Sequence, residues 1–384
     1  MMLDRPYAQV TDNEKMTGAD ASMRPLADGS KAPLEGKRVL ITGGTGSLGK
    51  VLLRRLLSGN AGRPAKIIVL SRDEAKQHQI RVEYQHRHVA TDEVIYENFQ
   101  RALSFRIGDV RDYASVSAAL RGADVVFNAA ALKQVPTCEY FPYEAVQTNI
   151  MGAENIVRAI RDLQLPIETV VGISTDKAVK PVNVMGMTKS IQERIFARAN
   201  IEVPNTRFIV VRYGNVLASR GSVIPLFHDQ IRKGGPVTIT HPDMTRFLIS
   251  LDEAVDLIFA AIQTARPGET YVPSAPSARM LDIAIALIGK RKIETLVTGI
   301  RPGEKLHEIL ISEEEVFRTI RRGDQYVIEP ILPELRLETS AQPALEREYS
   351  SADNLLSYEG VVDLLCRRQL MIGDKTAFEY DLLR

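Results

Sequence analysis

Residues 38–49 have the sequence RVLITGGTGSLG. The apolar run 38–42 predicts a buried strand, and residues 48–57 predict an amphipathic helix. A glycine-rich turn between a strand and a helix lets the backbone approach a pyrophosphate, and the amides at the helix N-terminus face the anion. This stretch therefore predicts the first unit of a dinucleotide-binding sheet.

Short apolar runs recur along the first 215 residues, with helical stretches such as 145–163 between most of them. The runs that we interpret as further buried strands cover residues 66–70, 103–107, 124–128, 169–173 and 208–211. Strands that alternate with helices favour a parallel sheet with helices on both faces. The predicted fold class is therefore α/β, a Rossmann-like doubly wound parallel sheet, with a smaller C-terminal substrate-binding lobe.

The pattern also suggests a domain division. Helical runs at 251–264 and 281–289 interrupt the looser region after Asn215, and a helical patch follows around 361–370. The predicted units are a flexible N-terminal tail (1–34), a nucleotide-binding domain (35–216, with 244–266 returning to it), a substrate-binding lobe (217–243 and 267–370) and a C-terminal tail (371–384).

Composition narrows the classes of partner. The 384 residues are 45% hydrophobic and 25% charged, and the formal net charge is +1. This balance gives no general reason to expect a nucleic acid or a membrane surface as partner. Cys138 and Cys366 cannot form a disulfide framework, and no apolar run approaches the length of a membrane span. We expect a cytoplasmic protein without a membrane span.

The end of the second predicted strand bears on the choice of nucleotide. Ser71 can donate a hydrogen bond, and the guanidinium of Arg72 suits a ribose 2′-phosphate, so the sequence favours NADP over NAD. The residues predicted to contact the cofactor are Gly43, Thr45, Gly46, Ser47, Leu48, Gly49, Ser71, Arg72, Asp73, Lys76, Asp109, Val110, Ala129, Ala130, Lys133 and Lys189.

The end of the fifth predicted strand carries an acid and a base side by side. Its sequence is Ser174-Thr175-Asp176-Lys177, and Lys189 follows on the next predicted helix. Ligands of such sheets bind at the carboxyl ends of the strands, so Asp176 and Lys177 are candidates for proton transfer. The alternative is a strand-end ion pair or a helix cap with a purely structural role.

Several motifs together resemble the extended short-chain dehydrogenase/reductase family, and within it the UDP-N-acetylglucosamine 4,6-dehydratases of polysaccharide biosynthesis. The resemblance covers roughly residues 36–370. The motifs are GGTGSLG (43–49), SRDE (71–74), GDVRD (108–112), AAALKQVP (129–136), STDKAVKPVNVMGMTK (174–189), RYGNV (212–216), SRGSVIP (219–225), TRFLISLDEAV (245–255) and RPGEKLHE (301–308).

The resemblance implies an NADP-dependent lyase. Hydride leaves sugar C4, a base removes the C5 proton as the C6 hydroxyl departs, and hydride returns to C6. Asp176 is the expected acid at C6, and Lys177 is the expected base at C5. Its pKa must then fall by desolvation or through a nearby cation, for which Lys133 and Lys189 are the candidates.

Met185 departs from the family pattern, which has a tyrosine at this position. A thioether cannot exchange a catalytic proton. The C4 hydroxyl proton is therefore expected to pass to Asp176, to Thr175 or to a bound water. The spacing from Met185 to Lys189 is kept, so Lys189 is expected to position the nicotinamide ribose.

The resemblance also implies a UDP-sugar substrate held largely by the second lobe. The expected substrate-binding residues are Lys133, Asn215, Ser219, Val223, Arg246, Arg301, Glu304 and His307. Arg246 and Arg301 are the natural partners of a diphosphate. A homo-oligomer is expected, a dimer or larger, through the helices at 145–163 and 187–199.

Two other functions stay open at this point. A UDP-hexose 4-epimerase shares the fold and the first hydride transfer but needs no base at C5, so Lys177 argues against it. A catalytically silent NADP-binding regulator would explain Met185 but not the pair Asp176 and Lys177. His86 and His88 lack supporting ligands at metal-site spacing, so no metal is expected.

Overall fold

The computed structural model describes residues 32–85, 101–217, 222–336 and 342–374. Its strands are β1 (Arg38–Thr42), β2 (Lys66–Ser71), β3 (Leu103–Ile107), β4 (Val125–Asn128), β5 (Thr169–Thr175), β6 (Arg207–Tyr213), β7 (Asn215–Val216), β8 (Val237–Ile239), β9 (Thr245–Ile249), β10 (Thr270–Pro273), β11 (Ser277–Arg279), β12 (Thr295–Val297), β13 (Ile309–Ile311), β14 (Thr319–Arg322), β15 (Gln325–Ile328) and β16 (Tyr349–Ser350).

The helices separate these strands along the chain. They are α1 (Ser47–Leu57), α2 (Glu74–Gln85), α3 (Tyr113–Leu120), α4 (Val135–Tyr140), α5 (Pro142–Ala145), α6 (Gly152–Asp162), α7 (Val184–Glu202), α8 (Val223–Arg232), α9 (Leu251–Thr264), α10 (Met280–Ile288), α11 (Glu313–Val316) and α12 (Tyr358–Arg367). A π-helical segment, Val146–Met151, joins α5 to α6, and a 3₁₀ turn, Asp176–Ala178, follows β5.

A nine-stranded sheet organises the described residues, in the order β3-β2-β1-β4-β5-β6-β10-β15-β14. The strands from β3 to β10 pair in parallel, whereas β15 and β14 close the edge in antiparallel pairs. The order reverses between β1 and β4, which is where such sheets open a crevice for ligands. The predicted α/β class with a Rossmann-like sheet is confirmed.

Helices cover both faces of the sheet because its central strands are apolar on both sides. On one face, Leu52 and Leu56 of α1 pack with Leu257 of α9 and with the strands. On the other face, Ile156 of α6 and Phe196 of α7 pack with a second set of strand residues. The carboxyl ends of the central strands therefore stay available for a site.

The C-terminal half divides between the sheet and a smaller lobe. Helix α9 returns to the sheet domain and packs on α1, within the segment predicted to do so. Strands β10, β14 and β15 also pair into the main sheet, although the sequence places all of residues 267–370 in the lobe. Their pairing joins residues far apart in the chain, which local patterns do not encode.

The predicted tails lie mostly outside the described residues, which begin at Ala32 and end at Asp374. Leu34, near the end of the predicted N-terminal tail, is completely buried, and its amide donates to Ala61 O at 2.9 Å. His86 and His88 also lie outside the described residues. In the ranges that are described, no helix has the length and apolar character needed to cross a bilayer.

Large apolar side chains are exposed on the helices expected to form an oligomer interface. Met151 precedes α6, and Met187 and Ile191 lie on α7, each with more than a third of its surface accessible. Exposed apolar residues on neighbouring helices are typical of contact surfaces. The homo-oligomer stays a prediction.

A buried ionic network ties the sheet to the lobe beneath the carboxyl ends of the strands. Arg212 on β6 contacts Glu193 of α7 at 2.7 Å and Glu315 of α11 at 2.8 Å. Ser174, two residues before Asp176, donates to Glu193 at 2.5 Å. Because all four side chains are buried, removal of one charged partner leaves another uncompensated.

This network makes stability depend on pH. Burial opposes the charge of Glu315, but Arg212 outweighs it and lowers the pKa of Glu315 from 4.5 to about 2. A carboxyl whose folded pKa is depressed stabilises the fold above its ordinary pKa and loses that contribution as pH falls. We expect about 3 kcal/mol of unfolding free energy to disappear between about pH 5 and pH 2 through this group.

Denaturant unfolding across that pH range tests this expectation. The variant Glu315→Gln should be less stable at neutral pH by about 3 kcal/mol and should have a flatter pH dependence. The exposed Glu334→Gln serves as control and should keep the wild-type profile. If the unfolding free energy of Glu315→Gln still fell with decreasing pH as steeply as that of the wild type, Glu315 would not be the group responsible.

Candidate active site

The turn after β1 approaches the neighbouring strand closely. Gly43 has φ +67°, and a Cβ built there would lie 2.7 Å from the backbone of Ala130. Its amide donates to Leu70 O at 2.9 Å, which ties the turn to β2. Helix α1 begins at Ser47, so its free amides face the crevice. Glycine at residue 43 therefore lets the turn lie against the backbone that follows β4, and the amides at the start of α1 fit the pyrophosphate of a dinucleotide.

The end of β2 carries the residues expected near the ribose. Ser71 and Thr45 share a hydrogen bond of 2.8 Å between their hydroxyls. Arg72 is half exposed, and its guanidinium lies 3.5 Å from Asp109. Asp73 accepts from the amide of Lys76 at 3.0 Å and pairs with its ammonium at 2.5 Å. The guanidinium of Arg72 is thus held at the mouth of the crevice.

The remaining residues predicted at the cofactor lie where the turn and β4 meet. The backbone of Ala129 and Ala130 follows β4, with the amide of Ala129 donating to Thr42 O at 3.2 Å. Val110 is buried and packs against Gly152 at the start of α6. Lys133 lies further along the same loop and is exposed. Gly46, Leu48 and Gly49 belong to the turn and the first turn of α1.

Asp176 is completely buried at the end of β5. Its Oδ1 accepts from the hydroxyl of Thr175 at 2.9 Å and from Lys177 Nζ at 3.1 Å. Gly214 leaves the room for this carboxylate, since a Cβ there would lie 3.2 Å from Asp176 Oδ2. The acid and the base singled out in the sequence are therefore in direct contact.

Glu308, which sequence reasoning missed as a site residue, completes this cluster from the second lobe. Its Oε1 lies 3.0 Å from Lys177 Nζ, and only 1% of the residue is exposed. Arg246 and Lys305 lie within about 4 Å of its carboxylate. The sequence did contain one signal, because Glu308 directly precedes the apolar run Ile309–Ile311. A carboxylate buried next to such a run needs a charged or hydrogen-bonding partner.

The three titratable groups shift one another. Burial raises the pKa of Asp176, and Lys177 offsets this only in part. Burial opposes the charge of Lys177, but Asp176 and Glu308 outweigh it and raise its pKa. Burial likewise opposes the charge of Glu308, yet Lys177 and Arg246 lower its pKa. Lys177 is therefore held as an ammonium between two carboxyl groups.

This result corrects the expectation that a cation would lower the pKa of Lys177. The nearby cation is Arg246 rather than Lys133 or Lys189, and its effect is smaller than that of the two carboxyl groups. The expectation failed because Glu308 comes from a segment about 130 residues away in sequence. Lys177 needs a proton acceptor before it can serve as a base.

Helix α7 begins directly on the turn that carries Lys177. Asn183 caps it by accepting from the amide of Gly186 at 2.8 Å, and its side-chain amide donates to Gly303 O in the lobe at 2.7 Å. A Cβ at Gly186 would lie 2.1 Å from Lys177 O. Only glycine permits this contact, which fixes the helix against the Asp176–Ala178 turn.

Met185 and Lys189 lie one helical turn apart on α7. Met185 is buried in a small apolar cluster with Cys138 and Ala145. Lys189 is also buried, and its ammonium donates to Ile173 O and, at 2.7 Å, to Gln192. Desolvation lowers the pKa of Lys189 to about 8. Met185 therefore packs among apolar side chains at the start of α7 and offers no proton donor or acceptor.

The residues expected at the substrate fall into two groups. Asn215 and Arg246 lie at the cluster, since Asn215 accepts from Lys177 Nζ at 3.4 Å and Arg246 lies 3.9 Å from Glu308. His307 bonds Thr245 at 2.8 Å, next to Arg246 in the chain.

The second group lies further out. Arg301 and Glu304 face each other at 3.8 Å across the exposed 301–304 turn. Val223 begins α8. Ser219 falls outside the described residues. The structure thus joins Asn215 and Arg246 to the cluster directly. His307 and the 301–304 turn are linked to it through the chain leading to Glu308.

The family model described as "Polysaccharide biosynthesis protein" matches residues 39–330, which span the sheet and most of the lobe. The chain belongs to the polysaccharide biosynthesis protein family. Its fold is that of the extended short-chain dehydrogenases/reductases.

Relatives of this polysaccharide biosynthesis protein carry different names. A protein named UDP-glucose 4-epimerase from Rickettsia bellii is 44% identical over 76% of this chain and 82% of its own length. An uncharacterized membrane protein of Methanocaldococcus jannaschii is 44% identical over 77% of this chain and 86% of its own length. The X-ray structure of Pen from Bacillus thuringiensis is 34% identical, with a TM-score of 0.77, over 88% of this chain and 99% of that chain.

The glycine turn of this family member generates a test of cofactor binding. Gly43→Ala should weaken NAD(P)H binding at least about tenfold, because the new Cβ meets Ala130 and strains a positive φ. Gly36→Ala is the matched control, since Gly36 has φ +72° but open space around it. Titration of nicotinamide fluorescence measures both, and equal affinities in the two variants would contradict the assignment.

Proposed function

We propose that this protein is a nucleotide-sugar 4,6-dehydratase that converts UDP-N-acetylglucosamine to the 4-keto-6-deoxy sugar with NADP as cofactor. The observation that carries the proposal is the contact between buried Asp176 and Lys177 at the carboxyl end of β5. Elimination of water between C5 and C6 needs an acid and a base within reach of adjacent carbons. Two such groups lie side by side here, one strand away from the proposed cofactor crevice.

The roles of the chain's own groups follow from their environments. When bound, the nicotinamide accepts the C4 hydride and later returns it to C6. Asp176 receives the C4 hydroxyl proton and delivers it to the departing C6 hydroxyl. Burial suits Asp176 to both tasks, because a raised pKa makes its carboxylate a stronger base and lets it hold the proton. Lys177 removes the C5 proton, and its ammonium, whose protons exchange with solvent, gives a solvent-derived proton back to C5 as hydride adds to C6.

Thr175 and Lys189 support these steps. The Thr175 hydroxyl donates to Asp176 Oδ1, whereas no donor in the described ranges bonds to Oδ2, the oxygen proposed to exchange the proton. Lys189 is proposed to position the nicotinamide ribose. Its pKa is lowered because the side chain is buried away from water. Met185 takes no part in proton transfer, which places the C4 proton on Asp176 in this proposal.

The proposed substrate contacts combine the two halves of the molecule. Arg246 and Arg301 would bind the diphosphate through their guanidinium groups. Asn215 and Lys133 would face the hexose. Contributions from Ser219, Val223, Glu304 and His307 are proposed as well. The name of the Rickettsia bellii relative, UDP-glucose 4-epimerase, supports a uridine diphosphate sugar as the substrate class.

The proposed preference for NADP rests on Arg72. Its guanidinium is half exposed beside Ser71 and is oriented by Asp109. A planar guanidinium held at this position can bind a ribose 2′-phosphate with two hydrogen bonds. With Asp73 occupied by Lys76, no free carboxylate within the described ranges competes for the 2′-hydroxyl at this strand end.

A second candidate function is a UDP-hexose 4-epimerase, favoured by the name of the Rickettsia bellii relative. An epimerase takes hydride from C4 and returns it to C4, and it needs no base at C5. The ammonium of Lys177 would then have only a structural role. A catalytically silent regulator would leave the whole cluster without use.

The dehydratase proposal predicts loss of one water from UDP-N-acetylglucosamine and one solvent deuteron at C5 in heavy water. Mass spectrometry measures both. An epimerase gives a product of unchanged mass without deuterium at C5. Conversion of UDP-glucose or UDP-N-acetylglucosamine to its C4 epimer alone would overturn the proposal.

Asp176→Asn tests the acid. It should slow dehydration about 10³-fold, because the amide neither accepts the C4 proton nor delivers it to C6. Asp124→Asn is the matched control, since Asp124 pairs with Arg38 at the opposite end of the strands. Full C4 oxidation by Asp176→Asn would move that proton away from Asp176.

Arg72→Ala tests the nucleotide preference. It should weaken NADP binding about tenfold or more and leave NAD binding nearly unchanged, because only NADP carries the 2′-phosphate. Arg63→Ala, which changes an exposed arginine before the N-terminal end of β2, should leave the binding of both nucleotides as in the wild type. Equal losses for NAD and NADP would contradict this part of the proposal.

A further inference from the structure

Two oxygens of the buried cluster lack a hydrogen-bond partner. Asp176 Oδ2 and Glu308 Oε2 are both buried, and no donor in the described part of the chain bonds to either. Buried carboxylate oxygens are nearly always paired, so each such atom calls for an explanation. The two acids share a single ammonium, Lys177, through their other oxygens at 3.1 and 3.0 Å.

The charges around Glu308 come from several elements. Lys177 lies on the turn after β5, Arg246 on β9 and Lys305 on the loop before β13. Asp176 is the other acid that faces Lys177. With Asp176 ionised, the ammonium of Lys177 is balanced by two carboxylates. With Asp176 protonated, only Glu308 balances it, while Arg246 still repels it. Once Lys177 gives up its proton, the cation that most lowers the pKa of Glu308 is gone, and burial then favours the protonated carboxyl.

We propose that Glu308 accepts the ammonium proton of Lys177 after Asp176 has been neutralised by the C4 proton, and so releases Lys177 as the base at C5. This inference rests on the proposed dehydratase function. It makes Glu308 a positioning and proton-holding residue that acts through Lys177. It also orders the reaction, because C4 oxidation must come before Lys177 can lose its proton.

The proton transfers up to the elimination step balance. The O4–H bond breaks and its proton goes to Asp176 as the C4 hydride departs. A Lys177 N–H bond breaks and that proton goes to Glu308 Oε1. The free amine takes the C5 proton, the C5–H electrons form the C5=C6 bond, and the C6 hydroxyl leaves as water with the proton of Asp176.

Hydride addition to C6 then restores the starting protonation states of Asp176, Lys177 and Glu308. As hydride adds to C6, Lys177 returns its proton to C5, and Glu308 returns the held proton to Lys177. Asp176 is again a carboxylate, Lys177 an ammonium and Glu308 a carboxylate. No oxidant, reductant or outside proton donor is needed beyond those of the proposed reaction.

The test compares the two half-reactions in Glu308→Gln. C4 oxidation, followed as the absorbance of reduced nicotinamide in a single turnover, should stay within a few-fold of wild type. Deuterium exchange at C5 should fall about 100-fold, the typical contribution of a proton acceptor. The residual exchange should rise with pH, because solvent hydroxide must then take the Lys177 proton.

Glu269→Gln is the matched control, because Glu269 is equally buried and paired with Arg322 at the far edge of the sheet. Both half-reactions should stay at the wild-type level there. Equal losses of C4 oxidation and C5 exchange in Glu308→Gln would indicate a structural role and overturn the inference. Unchanged C5 exchange in Glu308→Gln, or exchange that persists in Lys177→Met, would also overturn it.

Thermal unfolding shows whether Glu308→Gln folds. If it does not, a second variant tests the inference. Glu308→Asp keeps the charge but withdraws the carboxylate by one methylene, so C5 exchange should slow selectively and by less. Wild-type exchange in Glu308→Asp would overturn the inference. Absence of C5 deuterium and of water loss in the wild type overturns the dehydratase proposal itself, whereas wild-type exchange with an unaffected Glu308→Gln overturns the role of Glu308 alone.

Discussion

The contact of Lys177 with two buried carboxyl groups ties the chemistry of this site to the assembly of the fold. Asp176 comes from the sheet domain and Glu308 from the lobe, and neither charge is stable in a dry interior without the ammonium between them. Two unit charges about 4 Å apart interact by about 4 kcal/mol at an effective dielectric constant near 20. Docking of the lobe and formation of the site are therefore one event.

The same constraint explains how the helix beside the cluster is fixed. Gly186 allows the backbone of α7 to touch the turn that carries Lys177, and Asn183 joins the helix cap to Gly303 of the lobe. Helix, turn and lobe loop meet at one point, so the residues on the first turns of α7 have little freedom. Met185 fills an apolar cluster there, and its replacement by a polar residue would have to find room and a partner in that cluster.

Local patterns predicted those parts of the molecule that local chemistry determines. The glycine turn, the strand runs such as 38–42 and 103–107, and the helix 251–264 coincide with the structure because hydrophobic period and turn residues are encoded over a few positions. Strands β14 and β15 were not assigned to the sheet, since their pairing depends on partners distant in the chain.

The site follows the same rule. Asp176 and Lys177 are adjacent in sequence and were recognised together, whereas Glu308 is about 130 residues away and was not. The protonation of Lys177 was therefore expected in the wrong direction, because the charge that decides it comes from the other lobe. The direction of a pKa shift depends on burial and on all charges that lie nearby in space, and a sequence motif does not contain this information.

The presence of a protein named as an epimerase among close relatives bears on what distinguishes the two reactions. Both begin by removing hydride from C4, and a single proton acceptor near the hydroxyl suffices for that step. A second buried acid that contacts the lysine is not required for the C4 step. In the proposed dehydratase it also takes up the lysine proton within the cycle, which elimination at C5 demands and epimerisation at C4 does not.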